Sequence, residues 1–494
     1  MYIYHTQRGF VNSGDELPSG TLMMLKSGGS MTDLGEYGKK HLTPAFIGYN
    51  LDGSATGVYA NAEAARDLYG SLSEILACVL GSGYECRIQE PDSGERLWNN
   101  CVRNSSYLYI RYHGSLPHHA IYALASGAKA AGRSQSASGD IVCISELFLL
   151  PQETAEGTYI FSAVSRSSDG VIAVFEGKVK GEEPDFNLSE IMAYDGNRYF
   201  QHYDFLTNYK GTGSDNAFSY PLMYTADDQR HYVITLRGTT VILEEDTASY
   251  PITITGKHPS DSASYTEILR VLQYNPDKLN SYTENDGTVI CIDDRGNTRL
   301  TTDSRVIYTD TGEQDGILLS DFLGYESYSG QYNLCEQLRA TERALEELSN
   351  RAGNVFGGEA NAILFDMYSG GETVTVRYAY AYDNIMLTDE TGNPIYAASF
   401  TMNGQRMLRI ELCLLTVEAG ETRVKNLPQR WTYEKLCAMN TITQTDGETG
   451  SAVIRTQGDL CMRYVIDPVI LMEETPAEVM ASWLVCLNRT EEGI

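Results

Sequence analysis

The sequence has no run approaching the roughly 18–20 consecutive apolar residues that a membrane-spanning helix requires. Residues 1–40 also lack the basic-then-apolar order of a secretory signal. Their Gly- and Ser-rich character reads as a flexible juxtamembrane tether, and the expectation is an anchor that lies outside this chain. Cationic residues are scarce: 37 Lys and Arg face 66 Asp and Glu, for a net charge of −29. Such a surface repels phosphate backbones and anionic headgroups, which argues against nucleic acid as a partner and leaves room only for a local basic patch.

Metal and redox signatures are missing as well. Ten Cys occur without a single Cys-x-x-Cys pair, so zinc-finger spacing is excluded. Cys78, Cys291, Cys413 and Cys486 each sit inside an apolar run, where a thiol serves as a small buried hydrophobe, and free thiols are expected. The last histidine is His258, so imidazole chemistry is confined to the first half. There, His202 and Asp204 lack the Gly-x-Ser-x-Gly elbow of a nucleophilic triad, and i, i+2 spacing is common in strands. His113, His118 and His119 lack His-Glu-x-x-His spacing. Adjacent residues at a helix start point about 100° apart, so a surface or helix-capping role is expected for them.

Gly256-Lys257 lacks the upstream glycine of a P-loop, and Asp293 and Asp294 beside Gly296 lack the twelve-residue ligand spacing of an EF-hand. The expectation is a non-enzymatic protein with no cofactor, no metal and no catalytic constellation. Paired carboxylates of the glycoside-hydrolase kind have no positional signature. They keep a secreted carbohydrate-binding or carbohydrate-active protein as the alternative reading.

What the chain does have is 34 Tyr and 45 Gly against 14 Pro, a bias toward strands joined by tight turns. At about 100–200 residues per domain, 494 residues allow two to four domains. The pattern predicts an α+β, multi-domain chain whose antiparallel sheets each pack with one or two helices. Residues 61–80 place Ala64, Leu68, Leu72, Ile75, Leu76 and Val79 on one helical face, with Asn61 as N-cap. A shorter helix is expected around 96–102, a strand over 107–112, a helix from Pro117, and a small-residue linker over 127–139. The runs IVCISELFLL, TYIFSAVS and VIAVFEGKV are too close together for helices between them and predict an antiparallel meander.

A polar boundary over 257–262 closes the expected N-terminal α+β domain, 41–260, which follows the flexible segment 1–40. From there the pattern restarts twice. A short helix over SYTEILRVLQYN precedes a strand, the turn Asp293-Asp294-Arg295-Gly296-Asn297, and another strand. A longer helix, with Leu334, Leu338, Thr341, Leu345, Leu348 and Ala352 on one face, precedes a strand, the turn Asp389-Glu390-Thr391-Gly392-Asn393, and another strand. The shared order predicts a diverged duplication, with a small domain over 261–330 and a related C-terminal domain over 331–494. Asn403-Gly404 is read as the centre of a type I′ hairpin turn. Tyr378, Tyr380 and Tyr382 alternate along one strand, suiting sheet packing, a sugar-binding strip, or interface anchors.

The stretch EILRVLQYNPDKLNSYTENDGTVICIDDRGNTRLTTDSRVIYTD and the later RYAYAYDNIMLTDETGNPIYAASFTMNG together resemble the YycH and YycI family of extracytoplasmic regulatory proteins. ERLWNNCVRNSSYLYIRYHGSLP, residues 95–117, is similar to the first domain of the larger member. The resemblance implies a membrane-associated protein on the outer face of Gram-positive cells. It would tune a sensor histidine kinase of cell-wall metabolism, with that kinase or a paralogous regulatory protein as partner. The family's N-terminal transmembrane helix has no counterpart in this sequence. On this reading the interaction surface is expected at Tyr378, Tyr380, Tyr382, Asn403 and Gly404, where aromatic anchors lie near a strand edge.

Overall fold

The computed structural model describes residues 42–488 apart from internal segments, the longest being 127–141, 178–199, 204–222 and 426–456. Asn61, the linker, Asp204, Ala352 and the first Asp-x-x-Gly-Asn turn up to Arg295 lie outside the described residues. Among the described residues no helix is long and apolar enough to cross a membrane.

The first half builds an antiparallel sheet from Phe46–Leu51 (β1), Ser54–Tyr59 (β2), Tyr84–Ile88 (β3), Tyr107–Pro117 (β4), Cys143–Glu153 (β5), Tyr159–Arg166 (β6) and Ile172–Gly177 (β7). Its strand order is β2-β1-β4-β5-β6-β7-β3, so β5, β6 and β7 form the meander that their short spacing predicts. Helices Glu63–Val79 (α1), Pro91–Val102 (α2) and His118–Ser126 (α3) accompany it. In α1 the predicted face holds: Leu72, Ile75, Leu76 and Val79 are all buried. Trp98 of α2 meets Phe148 of β5 edge-on, with ring centres 4.7 Å apart, a large apolar contact that pins α2 to the sheet.

A separate four-stranded sheet, Phe200–Tyr203 (β8), Met223–Tyr224 (β9), Arg230–Leu236 (β10) and Thr239–Leu243 (β11), follows in the order β8-β11-β10-β9. Then come Ala248–Ser249 (β12) and Ile252–Gly256 (β13). The boundary expected at 260 needs correction here. β13 pairs with two strands of the C-terminal region, Leu415–Ala419 (β24) and Ala477–Val479 (β27), and not with the sheet that precedes it. Val424–Lys425 (β25) pairs with β12 in the same way.

The remaining elements are helices Ser262–Val271 (α4), Leu319–Leu323 (α5) and Leu334–Arg351 (α6), and a run of strands. These are Asn280–Thr283 (β14), Val289–Ile292 (β15), Gly296–Leu300 (β16), Arg305–Asp310 (β17), Ile317–Leu318 (β18), Asn361–Gly370 (β19), Thr373–Tyr382 (β20), Ile385–Thr388 (β21), Tyr396–Met402 (β22), Arg406–Cys413 (β23), Gln457–Val465 (β26) and Ala481–Asn488 (β28). They form one sheet of twelve strands in the order β14-β15-β16-β17-β23-β22-β20-β21-β26-β28, with β18 on β23 and β19 on β20. Each half of it is a helix followed by a four-stranded antiparallel meander, α4 with β14 to β17 and α6 with β19, β20, β22 and β23. In both, the Asp-x-x-Gly-Asn motif lies between the second and third strands of the meander. The last strands of the halves pair with each other, Arg305 opposite Cys413 through Thr309 opposite Arg409. The boundary expected at 330 therefore runs through a continuous sheet and does not separate two.

Local chemistry explains the ends of these elements. Asn333 and Glu336 cap α6 reciprocally: the Asn333 side chain accepts from the Glu336 amide at 3.0 Å, and Glu336 Oε2 accepts from the Asn333 amide at 2.9 Å. In the second repeated turn, Asp389 Oδ1 accepts from the amides of Thr391 and Asn393 at 2.9 Å, and Oδ2 from Asn393 Nδ2 at 3.0 Å. Gly392 supplies the left-handed backbone, φ 87°. Both carboxylate oxygens are thus occupied by the turn's own donors. Cys78, Cys86, Cys101, Cys143, Cys291 and Cys413 form no disulfide; Cys101, Cys291 and Cys413 are buried, whereas Cys78, expected as a buried thiol, is only half-buried, and burial pushes the Cys413 thiol up to about 12. Denaturing thiol titration should find at least these six reactive. In the native protein Cys413 should be the slow one, because the thiolate is the nucleophile.

Candidate functional site

Along β4 and β5 the ladder breaks between Arg111 and Leu116, opposite Glu146 and Ile144. Tyr112, His113, Gly114 and Ser115 consequently face Ser145 alone, a wide bulge that pushes β4 outward. It meets a second irregularity. β19 slips against β20 between Leu364 and Asp366, leaving Phe365 out of register, and a Cβ on Gly114 would lie 2.1 Å from the Phe365 carbonyl oxygen. Only glycine lets these two backbones touch, and this contact seats the first sheet on the second.

The bulge turns His113 toward Asn384, where both of its ring nitrogens are buried without a hydrogen bond of regular geometry. Asn384 lies beside it at the tip of a two-residue turn between β20 and β21. Asp383 and Asn384 there have φ 47° and 61°, the left-handed pair of a type I′ hairpin. The Asn384 amide is spent on the N-terminal segment: Nδ2 donates to the Pro44 carbonyl at 3.1 Å, and Oδ1 accepts from the Thr43 hydroxyl. Arg463, on β26 opposite Met386, and Arg111 on β4 complete the surroundings. Burial, the Arg463 charge and the Arg111 charge outweigh the adjacent Asn384, and the His113 pKa falls from 6.5 to about 3.

Arg463 is only 7% exposed. One terminal nitrogen donates to the Met462 carbonyl at 2.9 Å, while its Nε has no partner. Arg111, also buried, lies over the Phe46 ring at 5.8 Å from its centre.

A second polar group stands on the same two strands. Arg377 of β20 grips Asp366 of β19 with both arms, its Nε donating to Oδ1 at 2.7 Å and a terminal nitrogen to Oδ2. Its guanidinium is layered between Tyr368 at 5.1 Å and Tyr396 at 4.7 Å. The Asp366 interactions hold Arg377 above its usual pKa against the burial that would lower it. Tyr368 is 48% exposed, so the stack opens to solvent.

The residues singled out from the sequence fall elsewhere. Tyr378 and Tyr380 are wholly buried. The Tyr378 hydroxyl meets Thr341 Oγ1 of α6 at 2.7 Å, and the Tyr380 hydroxyl donates to the Cys413 carbonyl at 2.6 Å while accepting from the Leu415 amide. They are core residues, and the interface role expected for them is corrected. Tyr382 is half-buried between the rings of Tyr250 and Tyr464.

Asn403 and Gly404 do not have the positive φ of a type I′ turn. Instead the Asn403 side chain accepts from the amides of Gln405 and Arg406, and the Gly404 carbonyl accepts from the Tyr332 amide at 2.7 Å. The true type I′ turn, Asp383-Asn384, carries no glycine and was invisible to a search for Asn-Gly. His118 and His119 also depart from expectation: their ring centres lie 3.7 Å apart, with the planes tilted by 40°, instead of diverging. His118 is buried against Phe175, with its Nδ1 3.3 Å from the Val142 carbonyl oxygen, and its pKa drops to about 4, chiefly by burial. His202 lies on β8 and Asp204 lies outside the described residues.

Among the described residues, no group of three or more His, Cys, Asp or Glu side chains gathers as metal ligands. Arg463, Arg111 and Asn384 were not singled out, because nothing in their local sequence marks them as neighbours. No family model, curated protein or solved structure matches the chain.

Two outcomes follow from this geometry. Gly114→Ala should destabilise the fold by about 1–3 kcal/mol in chemical denaturation, the usual cost of forcing extra volume into a packed contact. His113 is neutral when folded and protonates below about 6.5 when unfolded, so its contribution to stability is present above that pH and lost on acidification toward 3. The slope approaches ~1.4 kcal/mol per pH unit. His113→Gln should flatten it between pH 6.5 and 5, leaving the slope due to His118 and His119, whose burial also lowers their pKa values, and unchanged slopes would contradict the assignment.

Proposed function

We propose that this chain is a non-enzymatic, extracytoplasmic and membrane-associated regulatory protein. It acts by protein–protein contact on a membrane sensor histidine kinase or on a paralogous regulatory protein of the kind its second half resembles. Regulation without chemistry requires a surface that binds two states of a partner unequally. The observation that carries the reading is the Tyr368, Arg377 and Tyr396 stack. Tyrosine and arginine dominate the strongest contact points of protein interfaces, and Tyr368 is exposed.

Asp366 already fixes the Arg377 guanidinium, so little side-chain freedom is left to lose on binding. This surface replaces the buried Tyr378 and Tyr380 as the contact site. It lies on the opposite face of β20, since Arg377 alternates with those tyrosines along the strand.

The test is co-purification from membranes of cells that produce a membrane-tethered form of the protein. The wild type should recover a sensor kinase or a paralogous regulator. Tyr368→Glu should lose it while lowering stability by no more than about 1 kcal/mol, the worth of one exposed cation–π contact. Equal recovery by a well-folded variant, or recovery of neither partner class, overturns the proposal.

A further inference from the structure

Arg463 is buried at 7% exposure and makes one hydrogen bond, through one terminal nitrogen. Among the described residues no carboxylate pairs with it and its Nε is without a partner. Next to it, both nitrogens of His113 are buried without a hydrogen bond of regular geometry, its polar neighbour is Asn384, and the charges that act on the ring, Arg463 and Arg111, are both positive. We propose that this junction of the β4 bulge, β26 and the β20–β21 turn binds a small oxyanion, held by Arg463 and His113.

The physical reason is charge. A buried guanidinium without a counter-ion costs several kcal/mol in desolvation. Ordered water would satisfy its N–H groups but leave its charge uncompensated. An oxyanion does both. Two oxygens match the Nε and terminal N–H groups of a guanidinium side-on, and a third interaction comes from the one N–H of the neutral imidazole.

The surrounding protein is otherwise unsuited to anions, with a net charge of −29, so the buried Arg463, without a carboxylate partner among the described residues, is a local exception. His113 is only partly buried as a residue, although both of its ring nitrogens are buried. The bulge is what creates the site: in regular pairing with β5, four residues of β4 could not face one. Free phosphate and a carboxylate-bearing small molecule share the required chemistry, and the titration distinguishes them. The proposal does not depend on the regulatory reading, because its readouts involve no protein partner.

The experiment is calorimetric titration of the full chain at pH 7 with inorganic phosphate and, separately, with malonate, at fixed ionic strength maintained with sodium chloride. Melting temperatures are measured in the same buffers. One saturable site for either anion is expected, together with a rise in melting temperature. Arg463→Gln should weaken that binding by about tenfold or more. In chloride alone the same variant should raise the melting temperature, since it removes a buried uncompensated charge, whereas an arginine with a purely structural role would lower it. Arg343→Gln, on the partly exposed Arg343–Glu346 pair of α6, should leave the affinity unchanged.

Saturation by phosphate alone or malonate alone identifies the source of the oxyanion. Absence of saturable binding of both anions to the wild type overturns the proposal. So does unchanged affinity in Arg463→Gln or, should that variant not fold, in His113→Gln.

Discussion

The pairing of β17 with β23 is the interaction on which the rest of the C-terminal region depends. A helix with four strands is a thin layer, and an unpaired inner strand would present a row of free N–H and C=O groups. Joining the last strand of one helix-and-meander unit to the last strand of the other removes both inner edges at once. It also brings α4 and α6 onto the same face, where they pack against each other. Leu338, Ala344, Leu345 and Leu348 of α6 and Ile268 and Leu272 at α4 then share one core with Tyr378, Tyr380 and Phe400. The antiparallel join of like to like has the form of a two-fold relation, as in an isologous interface folded into a single chain.

That sheet is the platform for everything placed on it. β19 adds to β20 and slips by one residue at Phe365, and the slip offers a carbonyl to the Gly114 bulge of the first sheet. Regular strands on both sides would bury their polar groups in ladders. Two bulges facing each other instead leave side chains stranded between layers, among them His113 and Ser145. Stranded polar groups cost stability, and proteins retain such costs chiefly where a site needs them. The neighbouring Asp366–Arg377 pair is the opposite case, a charge fully matched in geometry and layered between two rings.

These contrasts separate two kinds of surface on one sheet. Arg377 is held by Asp366 within its own fold, and on the proposed function it presents a rigid, preorganised face to a protein partner. Arg463 has no carboxylate partner among the described residues and leaves its Nε unbonded, and the proposed oxyanion supplies its counter-charge. In a chain so acidic, a partner reaching Tyr368 must tolerate a negative surround, which favours contacts built on aromatic area and hydrogen bonds over long-range attraction.

Much of the fold was legible in the amino-acid order. The apolar spacing of α1 and α6, the β5-β6-β7 meander, the run Arg305–Asp310 and the absence of paired-cysteine spacing are all local signals. Each acts within a few residues, through periodicity and turn chemistry. The sequence by itself therefore determined the α+β class, most elements and the repeated helix-then-strands order.

Which elements join was decided only by the tertiary structure. β13 crosses the boundary suggested by the polar stretch 257–262, and one sheet spans the boundary expected at 330. The alternation of Tyr378, Tyr380 and Tyr382 was visible, yet which face α6 would cover was not, because a strand's pattern names two faces without saying which is inside. Likewise Arg111 and His113 stand hundreds of residues from Asn384 and Arg463 along the chain, and their meeting follows from two strand bulges and one left-handed turn. Long-range backbone pairing sets those positions, and no local preference encodes it.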